Sequence, residues 1–520
     1  MSLSYPYQNF YDMLDAAFTS SPNKTVIFVD DRKITYKAFI QKVDAFARFL
    51  EIAGVNVGDR VALIAPNSEE FVISVYAATK IGAVVVPVNN MLKASEYEYI
   101  LKDCEAKVLV TSLQYRKEVE GLRESTKVEK IIWVDEAPQI DNHNIVFDEV
   151  LETHRHGDES KGLCKLDDMA IIFYTSGTTG YPKGAMMSYR NIFHNMIAGS
   201  ERFNVTAKDR FIVYLPMFHA FTFTVMLMIP FYNKSSFVII PKLLPFSNII
   251  KQTLLKRVTV FLGVPDVYNA LIKAKLPWYF MWFNKIRVFI SGASALSEDT
   301  LIKFNTKFKR AKMLEGYGLS ECAPVVSVNP TDVQKPMSIG PALRECEVKI
   351  VDDEMVEVPL GQVGELIVRG DNVMMGYLNR PESTEETIIN GWLRTGDLGK
   401  MDSDGYIYIV DRMKDLIISK GINIYPRQIE EELMKFTYIK QGAVIGISDP
   451  NSGEVPVAYV ELEDEADREK VTPNQIKKDL KAVLANFKVP KSVVIVDELP
   501  KTATGKVLKR KIKEMHSDSL

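Results

Sequence analysis

Short runs of apolar residues alternate, over roughly the first 340 residues, with longer segments in which apolar and polar residues mix. Examples are residues 61–65, 84–88 and 171–174. Continuous apolar runs of this length are typical of strands covered on both faces, and helix-length segments between them favour βα units. The pattern therefore predicts an α/β fold with mixed or parallel sheets flanked by helices. Further runs of the same kind lie near residues 110, 132, 238, 260 and 289.

The pattern changes twice in the second half of the chain. After about residue 340 the apolar runs shorten and Gly and Asp become frequent, as in NGWLRTGDLGKMDSDGYIYIV, which indicates an antiparallel β-subdomain with tight turns. After Val410 the sequence becomes rich in Lys and Glu. We therefore predict an N-terminal domain over residues 1–410 that includes the β-subdomain. A small α+β C-terminal domain over residues 411–520 would follow, which is an ordinary domain size.

One apolar segment has the length of a membrane span. Residues 211–233 contain no Asp, Glu, Lys or Arg, and about 20 apolar residues can cross a bilayer. Pro216 and Pro230 would interrupt a single helix. A short strand, a loop and a buried helix of about a dozen residues beside an apolar cavity is therefore the better interpretation.

Composition excludes several classes of protein. The 520 residues are 47% apolar and 25% charged, as in soluble globular proteins of more than one packing unit. A net charge of −3 gives no overall positive field for nucleic acid. The four cysteines are scattered without CxxC pairs, which argues against zinc and disulfides and fits a reducing compartment. The N-terminus has no basic region and no long apolar stretch, so we expect no signal peptide and a cytoplasmic location.

The sequence YTSGTTGYPKG at residues 174–184 is the most informative motif. It follows an apolar strand and precedes a helix predicted to begin near Ser188. Glycines let backbone amides turn toward an anion, the hydroxyl groups add donors and a lysine adds charge. The spacing differs from the Walker pattern, and an ordinary surface turn needs fewer such residues. The predicted phosphate-binding residues are Thr175, Ser176, Gly177, Thr178, Thr179, Gly180 and Lys183.

Four further motifs follow in order, and each alone could be an ordinary turn, strand or solvated tail. They are SGASAL at 291–296, EGYGLSE at 315–321, TGD at 395–397 and, on the proposed domain boundary, DRMKDLIISKG at 411–421. A last motif, PKTATGK at 500–506, lies in a basic tail. Small residues let a flat ring approach the backbone, and a carboxylate suits a hard cation such as Mg²⁺.

Together these motifs resemble the signature of the adenylate-forming superfamily, which includes acyl-CoA synthetases, adenylation domains of peptide synthetases and firefly-type luciferases. The resemblance covers nearly the whole chain. It implies that Tyr317 stacks on adenine, that Asp397 binds the ribose hydroxyls, and that Glu321 and Thr175 hold Mg²⁺. Ser320 stands where many relatives carry Thr and would contact the α-phosphate. The other implied ATP or AMP contacts are Gly292, Ala293, Ser294, Glu315, Gly316, Gly318, Arg412 and Lys506.

The resemblance also implies a division of catalytic work. Lys506 would bridge the attacking carboxylate and the α-phosphate, while Lys183 and Mg²⁺, held by Glu321, would stabilise the pyrophosphate. The C-terminal domain would be mobile and pivot at Lys414, opening the same space to a thiol. Lys420 and Gly421 would lie beside the pantetheine arm of coenzyme A, the predicted acceptor.

The acid pocket should include Phe218, His219, Phe221, Gly263 and Tyr268. Peptide-synthetase domains usually place an Asp near here to pair with an amino group, and this stretch has none, which disfavours an amino acid. Apolar side chains select by burial, so we expect a medium- or long-chain fatty acid. A carrier-protein thiol as acceptor, or an aryl or other carboxylate as substrate, remains an alternative.

Three rival functions belong to other classes. A catalytically dead nucleotide-binding homologue would tend to lack one of Lys183, Glu321, Asp397 and Lys506, and all four are present. A luciferase-like oxygenase would emit light with O₂ and no thiol. A membrane-inserted transporter with ligase activity would not be soluble without detergent. Peripheral contact at the inner membrane face and a homodimer stay open, and no nucleic-acid partner is expected.

Overall fold

The structure is a computed structural model that describes residues 3–154, 164–175, 181–242, 245–292, 294, 296–450, 452–463, 466, 470–502 and 506–518. The strands, in chain order, are β1 (Thr25–Val29), β2 (Arg32–Thr35), β3 (Arg60–Ile64), β4 (Val84–Pro87), β5 (Ala106–Thr111), β6 (Lys130–Trp133), β7 (Asn144–Val146), β8 (Met169–Thr175), β9 (Lys183–Ser188), β10 (Arg210–Val213), β11 (Ser236–Ile239), β12 (Val260–Gly263), β13 (Val288–Ser291), β14 (Lys312–Gly318), β15 (Val325–Val328), β16 (Cys346–Val351), β17 (Gly364–Gly370), β18 (Gly376–Tyr377), β19 (Ile388–Ile389), β20 (Trp392–Met401), β21 (Ile407–Arg412), β22 (Ile417–Ser419), β23 (Ile422–Ile424), β24 (Ile439–Asp449), β25 (Gly453–Leu462) and β26 (Ser492–Val496).

The α-helices cover the sheet faces. In chain order they are α1 (Phe10–Ser20), α2 (Tyr36–Ile52), α3 (Glu69–Lys80), α4 (Ala94–Asp103), α5 (Arg116–Val119), α6 (Leu122–Ser125), α7 (Phe147–Thr153), α8 (Tyr189–Arg202), α9 (Ile229–Tyr232), α10 (Phe246–Leu255), α11 (Pro265–Lys273), α12 (Trp278–Phe283), α13 (Glu298–Lys307), α14 (Pro381–Thr387), α15 (Pro426–Leu433), α16 (Pro473–Val483) and α17 (Lys509–Asp518).

Two eight-stranded sheets form the large part of the molecule. The first has the order β15-β14-β13-β12-β10-β11-β1-β2 and the second the order β18-β9-β8-β4-β3-β5-β6-β7. Interior neighbours are parallel, and antiparallel pairs occur only toward the ends, at β14–β15, β1–β2, β8–β9 and β9–β18. The predicted apolar runs are all strands here, which confirms the predicted α/β class.

The hydrophobic core lies in layers because each parallel strand is covered on both faces. The largest cluster sits between the two large sheets and includes side chains of α1, α2, α3 and α8. A second cluster packs on the outer face of the first sheet beneath α10–α13, and a third on the outer face of the second sheet beneath α4–α6. Helices and sheets therefore alternate in five layers.

Two smaller sheets follow in the chain. The third, β16-β17-β20-β19 with β21 on β20, is entirely antiparallel, as the Gly- and Asp-rich pattern predicts. The fourth contains β22 to β26 and carries apolar clusters on both faces. The chain passes from the third sheet to the fourth between Arg412 and Ile417. The predicted domain boundary at residue 411 lies just before that passage and stays a prediction.

The apolar segment 211–233 forms a strand, β10, followed by a helical stretch whose first part is a π-helix, Thr222–Met228, continued by α9. The amide of Ile229 donates to the carbonyl of Thr224, five residues back. Pro230, which has no N–H, follows at once. Within the described residues, no helix has both the length and the apolar content to cross a membrane.

Candidate active site

The site lies at the carboxyl edge of the first sheet, where ligands bind in open parallel sheets. Gly263, Ser291 and Glu315 are in register across the adjacent strands β12, β13 and β14. The SGASAL motif begins at the last residue of β13, and the EGYGLSE motif runs from within β14 into the 3₁₀ turn that follows it. The topology thus brings together motifs that are separated in sequence.

The glycine- and threonine-rich motif connects two paired strands, β8 and β9. Thr175 at the end of β8 pairs with Lys183 at the start of β9. Residues 176–180 lie outside the described residues, so their predicted phosphate contacts stay predictions. The Lys183 ammonium is 3.0 Å from Ser383 Oγ of α14 and 5.2 Å from the centroid of the Tyr377 ring. Its charge is therefore held between α14 and the Tyr377 ring.

Glu321 is joined to β8 across the site. Its Oε1 accepts hydrogen bonds from Tyr377 Oη at 3.0 Å and from Thr175 Oγ1 at 3.4 Å. Both bonds use Oε1, so Oε2 can take an external ligand. The two predicted metal-binding residues, Thr175 and Glu321, are thus in contact with each other.

A cation at Glu321 would need ligands from the nucleotide. Among the described residues no group of three His, Cys, Asp or Glu side chains could hold a metal. Mg²⁺ in phosphate-transfer sites is usually held by one or two carboxylates, by phosphate oxygens and by water. The residues present fit that mode, with Glu321 as the carboxylate.

The predicted ribose site is a second hydrogen-bonded group. Asp397 on β20 is buried; its Oδ2 accepts from Tyr317 Oη at 2.5 Å, and its Oδ1 is 3.2 Å from Arg412 Nε. Asp397 and Arg412 are also a Cα pair between β20 and β21. Burial, then Asp397, raise the pKa of Tyr317, which keeps its hydroxyl as a donor. Burial also raises the pKa of Glu315 to about 7.

Lys506 reaches this group from the C-terminal tail. The amide of Lys506 donates to Thr502 Oγ1 at 3.1 Å, and the flanking residues Lys501 and Val507 form a β-bridge, so the backbone of Lys506 is held against Thr502. Burial, followed by the positive charges of Arg412 and Lys414, lowers the pKa of Lys506 to about 8, and the nearby Asp397 carboxylate opposes this shift. The structure therefore brings Lys506 close to Asp397 and Arg412.

The predicted acid pocket divides into two parts. The ring of Phe221 packs on Gly292: a Cβ added at Gly292 would be 2.5 Å from it, so no larger residue fits while the ring is there. His219 Nδ1 accepts from the Phe221 amide at 3.4 Å, and burial lowers the pKa of His219 to about 4, so this imidazole is neutral at pH 7. Phe218 is buried beside them.

The other part lies deeper. Tyr268 is fully buried, belongs to the cluster on the outer face of the first sheet, and donates from Oη to the carbonyl of Ile290 at 2.6 Å. The Tyr268 ring also covers Gly263. Contact of Tyr268 or Gly263 with an acid stays a prediction, because their observed partners are core residues.

The remaining predicted residues are placed as follows. Gly316 and Gly318 lie on β14 against β15, and Ser320 is in the 3₁₀ turn that carries Glu321. Ser294 is exposed, and Ala293 lies outside the described residues. Lys414 is in the turn between the third and fourth sheets, and Lys420 and Gly421 form the β22–β23 turn with φ of 50° and 76°.

Sequence reasoning missed two residues that shape this site. Tyr377 hydrogen-bonds Glu321 from 56 positions away, and Asn195 of α8 holds the turn after Glu321 through the backbone of Cys322 and Val325. Neither lies in a recognisable motif. Asn195 is one of several polar residues of the largely buried helix α8, so its polarity alone gave no specific signal.

Comparison with known proteins decides the family. The family described as AMP-binding enzyme matches residues 14–378, and the AMP-binding enzyme C-terminal domain matches residues 428–506. The chain belongs to the AMP-binding enzyme family. This confirms the predicted resemblance to adenylate-forming enzymes.

Relatives agree over the full length. The chain is 31% identical to a long-chain-fatty-acid–CoA ligase of Escherichia coli O6:H1, covering 98% of this chain and 94% of the relative. It is 33% identical to a feruloyl-CoA synthase of Amycolatopsis sp, covering 95% and 96%. These names confirm the prediction of an acid–thiol ligase and leave open which acid is used.

The fold also matches a solved relative in two states. ATP-bound MatB from Rhodopseudomonas palustris gives a TM-score of 0.88 at 30% identity, with 98% of this chain and 99% of that chain covered. The apo form of the same protein gives 0.76 with the same coverage. The arrangement in our structure is therefore closer to the ATP-bound form.

Proposed function

We propose that this enzyme activates an apolar carboxylic acid, a medium- or long-chain fatty acid, as an acyl-adenylate and then transfers the acyl group to coenzyme A. In the first step a carboxylate oxygen attacks the α-phosphorus of ATP and pyrophosphate leaves. In the second step the thiolate sulfur of coenzyme A attacks the acyl carbon and AMP leaves. The products are acyl-CoA, AMP and pyrophosphate.

The approach of Lys506 to Asp397 and Arg412 carries this proposal. If Asp397 binds the ribose, Lys506 lies where the α-phosphate of the same nucleotide would follow. A positioned cation there stabilises charge that develops on the attacking carboxylate and the phosphate oxygens. Lys183 lies over the ring of Tyr377, whose hydroxyl donates to Glu321, and would stabilise the leaving pyrophosphate. Mg²⁺ held at Glu321 would neutralise phosphate charge.

The acid pocket supports a fatty acid. The predicted pocket residues Phe218 and Phe221 and the helical stretch Thr222–Met228 are apolar apart from two threonines, and His219 is neutral. These residues therefore offer no charged partner for the amino group of an amino acid. Apolar pockets bind acyl chains by burial, at about 0.8 kcal/mol for each CH₂. An aryl acid is the second candidate, because a relative is named feruloyl-CoA synthase.

Half-reactions test the proposal. Fatty acids of 8 to about 18 carbons should drive ATP–pyrophosphate exchange without coenzyme A, and Lys506→Ala should lower that exchange about 100-fold or more, as loss of a transition-state charge contact does. The same variant should still convert supplied acyl-AMP and coenzyme A to the thioester. Lys511→Ala, an exposed lysine of the same tail, is the matched control.

Two results would contradict the proposal. Equal loss of both half-reactions in Lys506→Ala would show that this lysine does not serve adenylation specifically. Faster exchange with ferulate than with any fatty acid would replace the proposed substrate class with an aromatic acid.

A further inference from the structure

Helix α12 presents an unusually apolar surface to solvent. Its sequence is WYFMWF, and Trp278, Tyr279, Trp282 and Phe283 are 72%, 47%, 66% and 60% exposed. We call these four side chains the aromatic patch. In the described part of the chain, no other six-residue stretch has more than two large apolar side chains exposed. Contiguous exposed apolar surface of this kind marks an interaction site.

The aromatic patch is held in place from below. Phe280, on the same helix, is 1% exposed and packs in the cluster on the outer face of the first sheet. The Trp278 ring centroid is 6.1 Å from that of Tyr279 and 6.5 Å from that of Phe283. Arg310 lies 5.7 Å from the Trp282 ring centroid and donates to the Trp282 carbonyl at 3.0 Å. The rings therefore point outward from a fixed base.

The chain segment that contains the patch is strongly basic, and only three of its cations, Lys273, Arg287 and Lys303, pair with a carboxylate among the described residues. Residues 273–312 contain nine Lys or Arg and two acidic residues, so 9 − 2 gives +7, in a chain whose net charge is −3. Lys275 and Lys285, which flank α12, are exposed, and no ion pair with a carboxylate is found for them or for Arg310 among the described residues. Free positive charge thus borders exposed aromatic rings.

This combination favours a bilayer over a second copy of the chain. A two-fold dimer through the patch would bring the same lysines of both copies together, and like charges at an interface oppose association. Tryptophan and tyrosine side chains prefer the membrane–water interface, and lysines beside them attract anionic lipid headgroups. A bilayer that contains anionic lipid therefore accounts for both the exposed aromatic rings and the adjacent lysines.

We propose that α12 docks the enzyme on a bilayer that contains anionic lipid. The Trp and Phe side chains insert at the boundary between headgroups and acyl chains, and Lys275 and Lys285 face lipid phosphates. Docking goes beyond the proposed reaction and does not depend on it. It would place the enzyme where an apolar fatty acid concentrates.

Vesicle co-sedimentation tests the docking surface. The wild-type enzyme should bind extruded vesicles of phosphatidylcholine with phosphatidylglycerol, and its tryptophan emission should shift to the blue. Trp278→Ser/Trp282→Ser should bind at least about tenfold more weakly, because apolar burial at the interface is lost. The control Val356→Ser/Leu360→Ser removes two side chains that are 59% and 67% exposed elsewhere and should bind like wild type.

A charge variant separates the two contributions. Lys275→Glu/Lys285→Glu should weaken binding to anionic vesicles by at least about fivefold for each lysine and leave the weaker binding to pure phosphatidylcholine unchanged. Thermal unfolding of every variant should match wild type, since the changed side chains are exposed.

Three outcomes would overturn the proposal: wild-type enzyme that binds neither vesicle, a double Trp variant that binds like wild type, or a wild-type dimer that the Trp variant converts to monomer without any vesicle binding. The last would assign the patch to a second copy. Turnover of a short, soluble acid without vesicles should be the same in wild type and the Trp variant. Failure of that turnover in wild type would count against the proposed reaction and not against docking.

Discussion

Lys506 is the side chain whose protonation most directly affects the proposed chemistry. Its pKa of about 8 lies below the ordinary 10.5, first because it is buried and then because Arg412 and Lys414 are near. Asp397 and Asp415 oppose this shift without cancelling it. A lysine that stabilises an anionic transition state acts as a cation, so the free enzyme would be competent below about pH 8.

The pH dependence of adenylation follows from this value. We expect kcat/KM for ATP to fall above about pH 8, approaching tenfold per pH unit, because kcat/KM reports groups of the free enzyme. Lys506→Arg should be slower but should lose this limb, since guanidinium stays protonated. The measurement is initial-rate pyrophosphate release between pH 6 and about 10. An unchanged alkaline limb in the Arg variant would assign the limb to another group.

The same pKa shift also affects stability, but its contribution to stability increases with pH whereas the predicted activity decreases. Between pH 8 and 10.5 the unfolded chain retains the Lys506 proton that the folded enzyme has lost. The contribution of this group to the free energy of unfolding therefore rises with pH across that window. The contribution of Lys506 to stability should therefore rise over the same pH range in which adenylation falls.

At the scale of elements, α8 supports the turn that carries Glu321. Asn195 is 1% exposed; its Nδ2 donates to the carbonyls of Cys322 and Val325 at 3.0 and 2.9 Å, and its Oδ1 accepts from the Val325 amide at 2.8 Å. One side chain thus satisfies three backbone groups next to the proposed metal carboxylate. Ser188 begins the helix with a capping box, which fixes the position of Asn195 along it.

Replacing Asn195 by Ala should therefore affect both stability and the cation. Leaving buried backbone groups without partners should lower the free energy of unfolding by about 3 kcal/mol. Displacement of Glu321 should raise the Mg²⁺ concentration needed for half-maximal adenylation severalfold. Denaturant unfolding and a Mg²⁺ titration measure the two effects. Asn9→Ala, a buried cap of α1, should destabilise without changing the Mg²⁺ titration; an unchanged titration in Asn195→Ala would argue against the coupling.

Elements with a strong local pattern could be predicted and those without one could not. Parallel strands such as β4 and β12 were visible because all their residues are buried and nearly all are apolar. Strand β9 was missed because Lys183–Ser188 mixes small, polar and apolar residues and gains its strand form by pairing with β8. The π-helical turn was equally invisible. Contacts such as Tyr377 with Glu321 depend on tertiary packing, which no local spacing encodes.

At the scale of the whole molecule, the C-terminal part of the chain, which forms the fourth sheet, contacts the preceding part at several points. Lys273 of α11 pairs with Glu463 after β25 at 2.6 Å, and the Arg427 amide of α15 donates to Asp411 at 2.8 Å. Lys506 also lies near enough to Asp397 and Arg412 for their charges to affect its pKa. In the proposed cycle, thioester formation would need access to the space that Lys506 occupies, and these contacts would have to open.

A covalent link across this interface should separate the half-reactions. In Lys273→Cys/Glu463→Cys, treated with a short bismaleimide, adenylation should persist while thioester formation falls at least about tenfold, because the rearrangement is blocked. The native cysteines are buried, and burial raises the pKa of Cys104 and Cys346 to about 12, so they should react slowly. The untreated double variant is the control. Equal thioester rates before and after linking would exclude a domain movement at this contact.

Asp397 already has a partner on each oxygen before any nucleotide arrives, Tyr317 on one side and Arg412 on the other. A ribose that bound there would exchange one set of hydrogen bonds for another. When AMP dissociates, the Asp397 carboxylate can form its hydrogen bond with Tyr317 and its ion pair with Arg412 again. It is therefore not left buried without a partner. Recognition of the ribose would then add selectivity for the nucleotide without greatly slowing the dissociation of AMP. The proposed enzyme must release AMP in every catalytic cycle.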